Sequence, residues 1–308
     1  MAKTKYTSPI TLLDGGMGRQ LMRMGAPFRQ PEWSALALIE APDLVRQAHE
    51  NFAEAGCNIL TTNSYAIVPF HIGEARFSAD GASLSALSGR LASEVANSFG
   101  CRVAGSLPPL FGSYRPDLFV PEQAPHLLRV LIDALSPYID LWLAETLSSI
   151  AEARAVGAAL TGDDRPIWLA YTLLDGDESV GNVPRLRSGE KVVDAVKASV
   201  EIGAAAILFN CSQPEVMLPA IDTALSELHR LGTILPIGAY ANAFPPQNQD
   251  AQANSDILDI RENLDPLGYL DFAEAWSHHG ATIIGGCCGI GPEHISALHA
   301  MFNPNIAK

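Results

Sequence analysis

Short apolar runs alternate along the chain with longer stretches in which apolar residues recur at helical spacing. The runs are PITLLDGG (9–16), NILTTNSY (58–65), RVAGSLPP (102–109), LWLAET (141–146), PIWLAYTL (166–173), AAILFNCS (205–212), LPIGAYAN (235–242) and ATIIGGCC (281–288). Each is near-continuous in its apolar part, as strands buried on both faces should be. Helical patterns fill 43–55, 82–98, 121–138, 148–160, 189–202, 214–230, 267–279 and 292–302. Asp43 is placed to cap the first of these and Gly56 to close it. Pro121, Pro214 and Pro292 suit first-turn positions. No Pro/Gly/Ser linker or charge block divides the chain. Eight strand signals alternating with eight helices in 308 residues predict an α/β fold, a single (β/α)8 TIM barrel spanning 1–308 as one domain. A doubly wound open sheet shares the alternation, but eight units at this length favour the barrel.

The barrel reading places chemistry. Polar residues at the C-terminal ends of barrel strands should line a common mouth. Those ends carry Asp14, Asn63 with Tyr65, Ser106, Glu145, Thr172, Asn210 with Cys211, Asn242, and Cys287 with Cys288. Strand eight closes on strand one, so the ends of strands six and eight can face one space. The long polar loop after strand seven, 242–257, reads either as a substrate lid or as plain surface.

Composition narrows the partners. Lys plus Arg number 20 against 34 Asp plus Glu, a formal net charge of −14. No Lys/Arg cluster forms the cationic face that phosphate binding needs, which argues against nucleic acid. No apolar run approaches the roughly 18 residues of a membrane span, and the start, MAKTKYTSPI, lacks the apolar stretch of a secretory signal. The expectation is a cytoplasmic protein acting on small molecules, with no nucleic-acid or membrane partner.

The five cysteines sharpen that expectation. An odd number in a chain this long does not read as a disulfide framework, and adjacent cysteines pair poorly with each other. Cys57 and Cys101 precede strands two and three, at the end away from the mouth, and read as fillers. Cys211, Cys287 and Cys288 fall at the mouth. Three thiolates can hold a zinc ion and leave its fourth position open, the arrangement of a catalytic site. Glycines on both sides of Cys287–Cys288 would let the backbone turn both sulfurs toward one ion. Buried small hydrophobes, or a redox pair, remain the plainer alternatives. His278, His279, His294 and His299 lie on helical patterns, where packing is the simpler role.

LLDGGMGRQL (12–21), TTNSY (61–65), ETLSSIAEA (145–153), FNCS (209–212) and GGCCGIGPEHI (285–295) resemble, in order and over nearly the whole chain, the homocysteine S-methyltransferase family. That family includes betaine– and S-methylmethionine–homocysteine methyltransferases. The resemblance implies a (β/α)8 barrel with Cys211, Cys287 and Cys288 as zinc ligands. It implies that Asp14, Gly15 and Glu145 hold the amino-acid end of homocysteine. Trp33 and Tyr65 match positions near the methyl donor, and Asn210 matches a pocket-supporting position.

The chain departs from the family where a donor would sit. GSLPPLFGSYRPD (105–117) stands where many members have a GSVGPYGA-like stretch, PEWSA (31–35) replaces a PLWSA-like segment, and Thr146 follows Glu145 where members that use betaine have a Tyr. The resemblance implies an enzyme moving a methyl group from a sulfonium donor, S-methylmethionine or S-adenosylmethionine, to homocysteine. Betaine as donor and a selenol as acceptor are the near alternatives. A non-catalytic zinc- or thiol-binding barrel, and a subunit that delivers homocysteine to a separate corrinoid protein, are alternatives of other kinds.

Overall fold

The computed structural model describes residues 9–175, 183–245 and 260–303. Eight parallel strands run in the order β1-β8-β7-β6-β5-β4-β3-β2: β1 (Thr11–Leu12), β2 (Ile59–Thr61), β3 (Arg102–Leu107), β4 (Leu141–Leu147), β5 (Ile167–Tyr171), β6 (Ala206–Asn210), β7 (Ile237–Tyr240) and β8 (Ile283–Ile284). A parallel bridge between Leu13 and Ile59 joins β1 to β2 and brings the sheet round into a nearly closed barrel. Helices lie between successive strands, and the expected barrel is the fold observed.

Two apolar layers follow from the pleat, whose side chains alternate between faces. One face packs against the helices, with Trp142, Ala144, Leu169 and Phe209 buried there. The other fills the barrel interior with Ala104, Leu141, Leu143, Trp168, Leu208 and Ile283. Continuing the inward series by steps of two leads to Ser106 after Ala104, Glu145 after Leu143, Asn210 after Leu208, and Cys287 two steps after Ile283. The polar end layer is therefore an extension of the apolar plug beneath it.

Helix boundaries differ from the sequence pattern at three points. Asp43 lies inside the first turn of Pro42–Glu54; Pro42 takes the first helical position and Ala41 flanks it without a side-chain cap. Pro121 stands ahead of Ala124–Leu135, in a turn that leads into it, because Pro125 is the proline that fits the first turn. The pattern at 82–98 is the C-terminal two thirds of a longer helix, Glu74–Phe99. Pro214 and Pro292 begin their helices as expected. Most of the 242–257 loop lies outside the described residues. No helix among them is long and apolar enough to cross a membrane.

Candidate functional site

Strand ends and their loops enclose a cavity of about 160 Å³ at the C-terminal mouth. Three sulfurs lie at its edge. Cys211 follows β6 directly, and its backbone takes the left-handed region, φ 51°. Its N–H donates to the Tyr240 carbonyl at 3.4 Å, and Cys287 N–H donates to the Ala241 carbonyl at 2.9 Å. Cys288 accepts from Ala243 N–H through its own carbonyl, 2.8 Å. After it, Gly289 turns the chain at φ 90°, the glycine freedom that the CCG pattern required.

The Sγ atoms of Cys211, Cys287 and Cys288 all lie within 4.8 Å of one another. Tetrahedral zinc with Zn–S near 2.3 Å would set sulfurs about 3.8 Å apart, so the trio fits one ion with a position to spare. Cys211 and Cys287 are in disulfide contact, Cα–Cα 5.7 Å, while Cys288 is a free thiol. The sequence pointed to free thiols throughout; β6 and β8 bring two of them within bonding reach across β7. A disulfide and a three-thiolate metal site are alternative states of the same cluster, because ligation needs both sulfurs reduced. Burial pushes the Cys288 thiol up to about 11, eased by the nearby Arg19 charge. A cation at the cluster would supply what such a buried sulfur lacks to stay ionised.

Two carboxylates share the cavity. Asp14 accepts from Thr61 N–H at 2.7 Å and Thr61 Oγ1 at 2.8 Å. Glu145 accepts from Ser106 Oγ at 2.5 Å and Tyr240 OH at 3.4 Å. Burial raises each to about 7, against the pull of these hydrogen bonds. A buried carboxylate of this kind awaits a cationic partner.

Behind Glu145, the β4–β5 register shifts between Ala144 and Leu147, and Thr146 sits at φ 59°. Such an irregularity re-aims a strand-end side chain. Asn210 holds it there: its Oδ1 accepts from Thr146 N–H at 2.9 Å, and its Nδ2 donates to Thr146 Oγ1 at 3.0 Å. Asn210 thus stands behind the cavity wall, while Asp14, Gly15, Glu145, Trp33, Tyr65 and the three cysteines line it.

The outer half of the cavity is aromatic. Trp33 packs edge-on to Phe28, 5.7 Å between ring centroids, and faces His71 at 6.4 Å. Tyr65 OH meets Ser113 Oγ at 2.5 Å. Burial lowers His71 to about 4, so the ring is neutral, and its Nδ1 lies 2.9 Å from the Pro31 carbonyl. Sequence reasoning missed Thr61, Tyr114, His71 and Tyr240. Tyr240 stands at the end of the β7 run and was reachable by counting inward positions. His71 lies in a single helical turn, Pro69–Ile72, and Tyr114 on a loop, both too short or irregular for a periodic pattern to mark them.

Glycine is required beneath the cluster. A Cβ on Gly16 would stand 2.5 Å from the Cys287 carbonyl oxygen and 3.0 Å from Cys288 Cα. Gly16→Ala is expected to cost about 1–3 kcal/mol through that overlap and to weaken metal binding by displacing the cysteine turn. Chemical denaturation with parallel metal titration measures both; unchanged values would mean the turn is free to move. At the opposite end, Cys101 Sγ donates to the Cys57 carbonyl at 3.3 Å, remote from the site as expected. The ring nitrogens of His294 and His299 meet backbone groups, and His279 meets Asp222 on the surface.

Comparison with known proteins gives the chain a family and relatives of the same fold. The family profile described as homocysteine S-methyltransferase matches residues 11–302. A homocysteine S-methyltransferase of Escherichia coli (strain K12) is 31% identical, over 94% of both chains. A selenocysteine Se-methyltransferase of Brassica oleracea var. italica is 25% identical, over 96% of this chain and 89% of its own. The structure of the Escherichia coli homocysteine methyltransferase MmuM in its metallated form superposes with a TM-score of 0.75, at 28% identity and 96% coverage of both chains.

Proposed function

We infer that this chain, which belongs to the homocysteine S-methyltransferase family, is a zinc-dependent enzyme moving a methyl group from a sulfonium donor to the homocysteine thiolate, giving methionine. The observation that carries the reading is the cluster of Cys211, Cys287 and Cys288 opening onto the same cavity as Asp14 and Glu145. Zinc, where bound by the three cysteines, supplies the positive charge that keeps a substrate thiol ionised at neutral pH.

The remaining work falls to the chain itself. Asp14 and Glu145 pair the substrate ammonium, which fixes the amino-acid end and leaves the thiol directed at the sulfurs. Gly15 keeps its place in the cavity wall by packing, since a Cβ there would overlap the Ile290 carbonyl oxygen and stand 2.7 Å from the Phe52 ring. Asn210 secures Glu145 from behind through Thr146. Methyl transfer is an in-line displacement, so rate comes mainly from holding donor and acceptor collinear. The faces of Trp33 and Tyr65 suit a sulfonium cation at about 1–2 kcal/mol each. S-Methylmethionine and S-adenosylmethionine are the first candidates, and betaine is the weaker one. A selenol acceptor is the second reading, favoured by the likeness to a selenocysteine Se-methyltransferase. One barrel over 1–308 would serve as a single homocysteine-binding domain in the cytoplasm.

Protein purified under reducing conditions is expected to carry about one zinc per chain and to form methionine from homocysteine with a sulfonium donor. A donor panel with isotopically labelled methyl groups tests both points. Turnover with betaine alone would overturn the sulfonium assignment, and metal-free active enzyme would overturn zinc.

A further inference from the structure

We propose that the buried ion pair Arg187–Asp175 positions Cys211 and the Tyr114 ring from behind the cavity wall, an inference that rests on the metal reading above. Neither member of the pair lines the cavity, whereas Tyr114 and Cys211 both do. The two side chains are 2% and 1% exposed, and Arg187 Nη1 meets Asp175 Oδ1 at 3.2 Å.

The pair grips the Cys211 segment from two sides. Asp175 Oδ2 accepts from Gln213 N–H at 3.3 Å, two residues beyond the cysteine. The Arg187 guanidinium lies over the Tyr114 ring, 5.0 Å from its centroid. Tyr114 in turn donates its hydroxyl to the Cys211 carbonyl at 3.3 Å. Cys211 and Tyr114 both hold left-handed backbone angles, φ 51° and 65°. Non-glycine residues keep such angles only where their surroundings hold them.

A buried ion pair is a poor stabiliser relative to apolar residues of the same size, because desolvation offsets the attraction. Its worth here is directional: the flat guanidinium can stack on Tyr114 and reach Asp175 at once, which a lysine ammonium cannot do. Conformational restraint on a metal ligand is the kind of support whose loss weakens metal affinity.

The test uses the full-length protein reduced with a non-chelating phosphine. Cobalt(II) and zinc(II) are titrated, the first followed by its thiolate charge-transfer bands, and thermal unfolding is recorded beside them. Arg187→Met takes the guanidinium away from a buried carboxylate and is expected to lose both stability and metal affinity. The double variant Arg187→Met/Asp175→Leu removes both charges. It is expected to recover the unfolding temperature lost in the single variant, yet bind metal about 10–100-fold more weakly with altered cobalt bands. Tyr114→Phe, which keeps the ring and removes only the hydroxyl, is expected to weaken binding several-fold at an unchanged unfolding temperature; if the double variant does not fold, Tyr114→Phe decides. Arg187→Lys is expected not to rescue affinity. Wild-type binding with both Tyr114→Phe and the double variant within twofold, and unchanged bands, would overturn the positioning role alone. Failure of the reduced wild type to bind either ion would overturn the metal reading, and this inference with it.

Discussion

Replacing Cys288 by serine is expected to abolish metal binding and methyl transfer together. A serine hydroxyl does not ionise near neutral pH, so it is a poor substitute for a thiolate ligand. The two sulfurs left behind, Cys211 and Cys287, are already close enough to pair with each other, Cα–Cα 5.7 Å. Pairing them would leave no ligand set at all. If the metal contributes on the order of 4 kcal/mol to the reaction, the rate falls by about 10³-fold. The fold should survive, because Cys288 lies at the partly open mouth rather than in the apolar layers. Metal per chain by elemental analysis, turnover and circular dichroism would be read on one preparation. A folded Cys288→Ser protein with full activity would remove the three-cysteine site from the reaction.

Glu145→Gln is expected to raise the homocysteine KM by about 100-fold while leaving metal content unchanged. The amide keeps the shape of the carboxylate: its oxygen can accept from Ser106 Oγ while its NH2 donates to the Tyr240 hydroxyl oxygen, which turns its own proton away, so the loss reports mainly charge rather than packing. Removing one partner of a buried charged hydrogen bond costs roughly 2–5 kcal/mol, and about 2.7 kcal/mol is 100-fold in binding. Asp14→Asn should act in the same direction. Loss of metal in Glu145→Gln would instead make Glu145 part of the sulfur site.

The same two residues give a pH signature. Burial holds Asp14 and Glu145 at about 7, so below that pH an incoming ammonium must displace a proton. Product affinity is therefore expected to fall as pH drops through 7. Methionine is the better probe than homocysteine, because it has the same ammonium and no titrating thiol. Calorimetry across pH 5–9 should show proton release on binding at the acid end; flat affinity there would mean that the carboxylates do not meet the ammonium. Without ligand the native state keeps protons that the unfolded chain, with carboxylates near 4, has already released. These two groups should then make the empty protein less stable as pH rises from about 4 to 7.

Much of this site was legible before any coordinates. The apolar runs located the strands, and their ends carried Asp14, Glu145, Asn210, Cys211, Cys287 and Cys288. What the runs could not carry were roles set by neighbours in space. Asn210 looks like any strand-end amide until Thr146 turns up against both ends of it. His71 comes from a single helical turn and Tyr114 from a loop, neither with a periodic signal, and the Arg187–Asp175 pair joins residues whose burial is invisible in a string of letters.

The five cysteines divide along the same line. Sequence alone determined the eight strand–helix units and which residues end each strand, because the two-residue pleat and the helical repeat are properties of the covalent chain. It thereby separated Cys57 and Cys101 from the other three. Only the tertiary structure decided that Cys211, 76 residues before Cys287, shares a cluster with it, and that burial lifts Asp14 and Glu145 to about 7. Both depend on barrel closure, which sets distances between strand ends and removes water from between them, and neither quantity is carried by spacing along the chain.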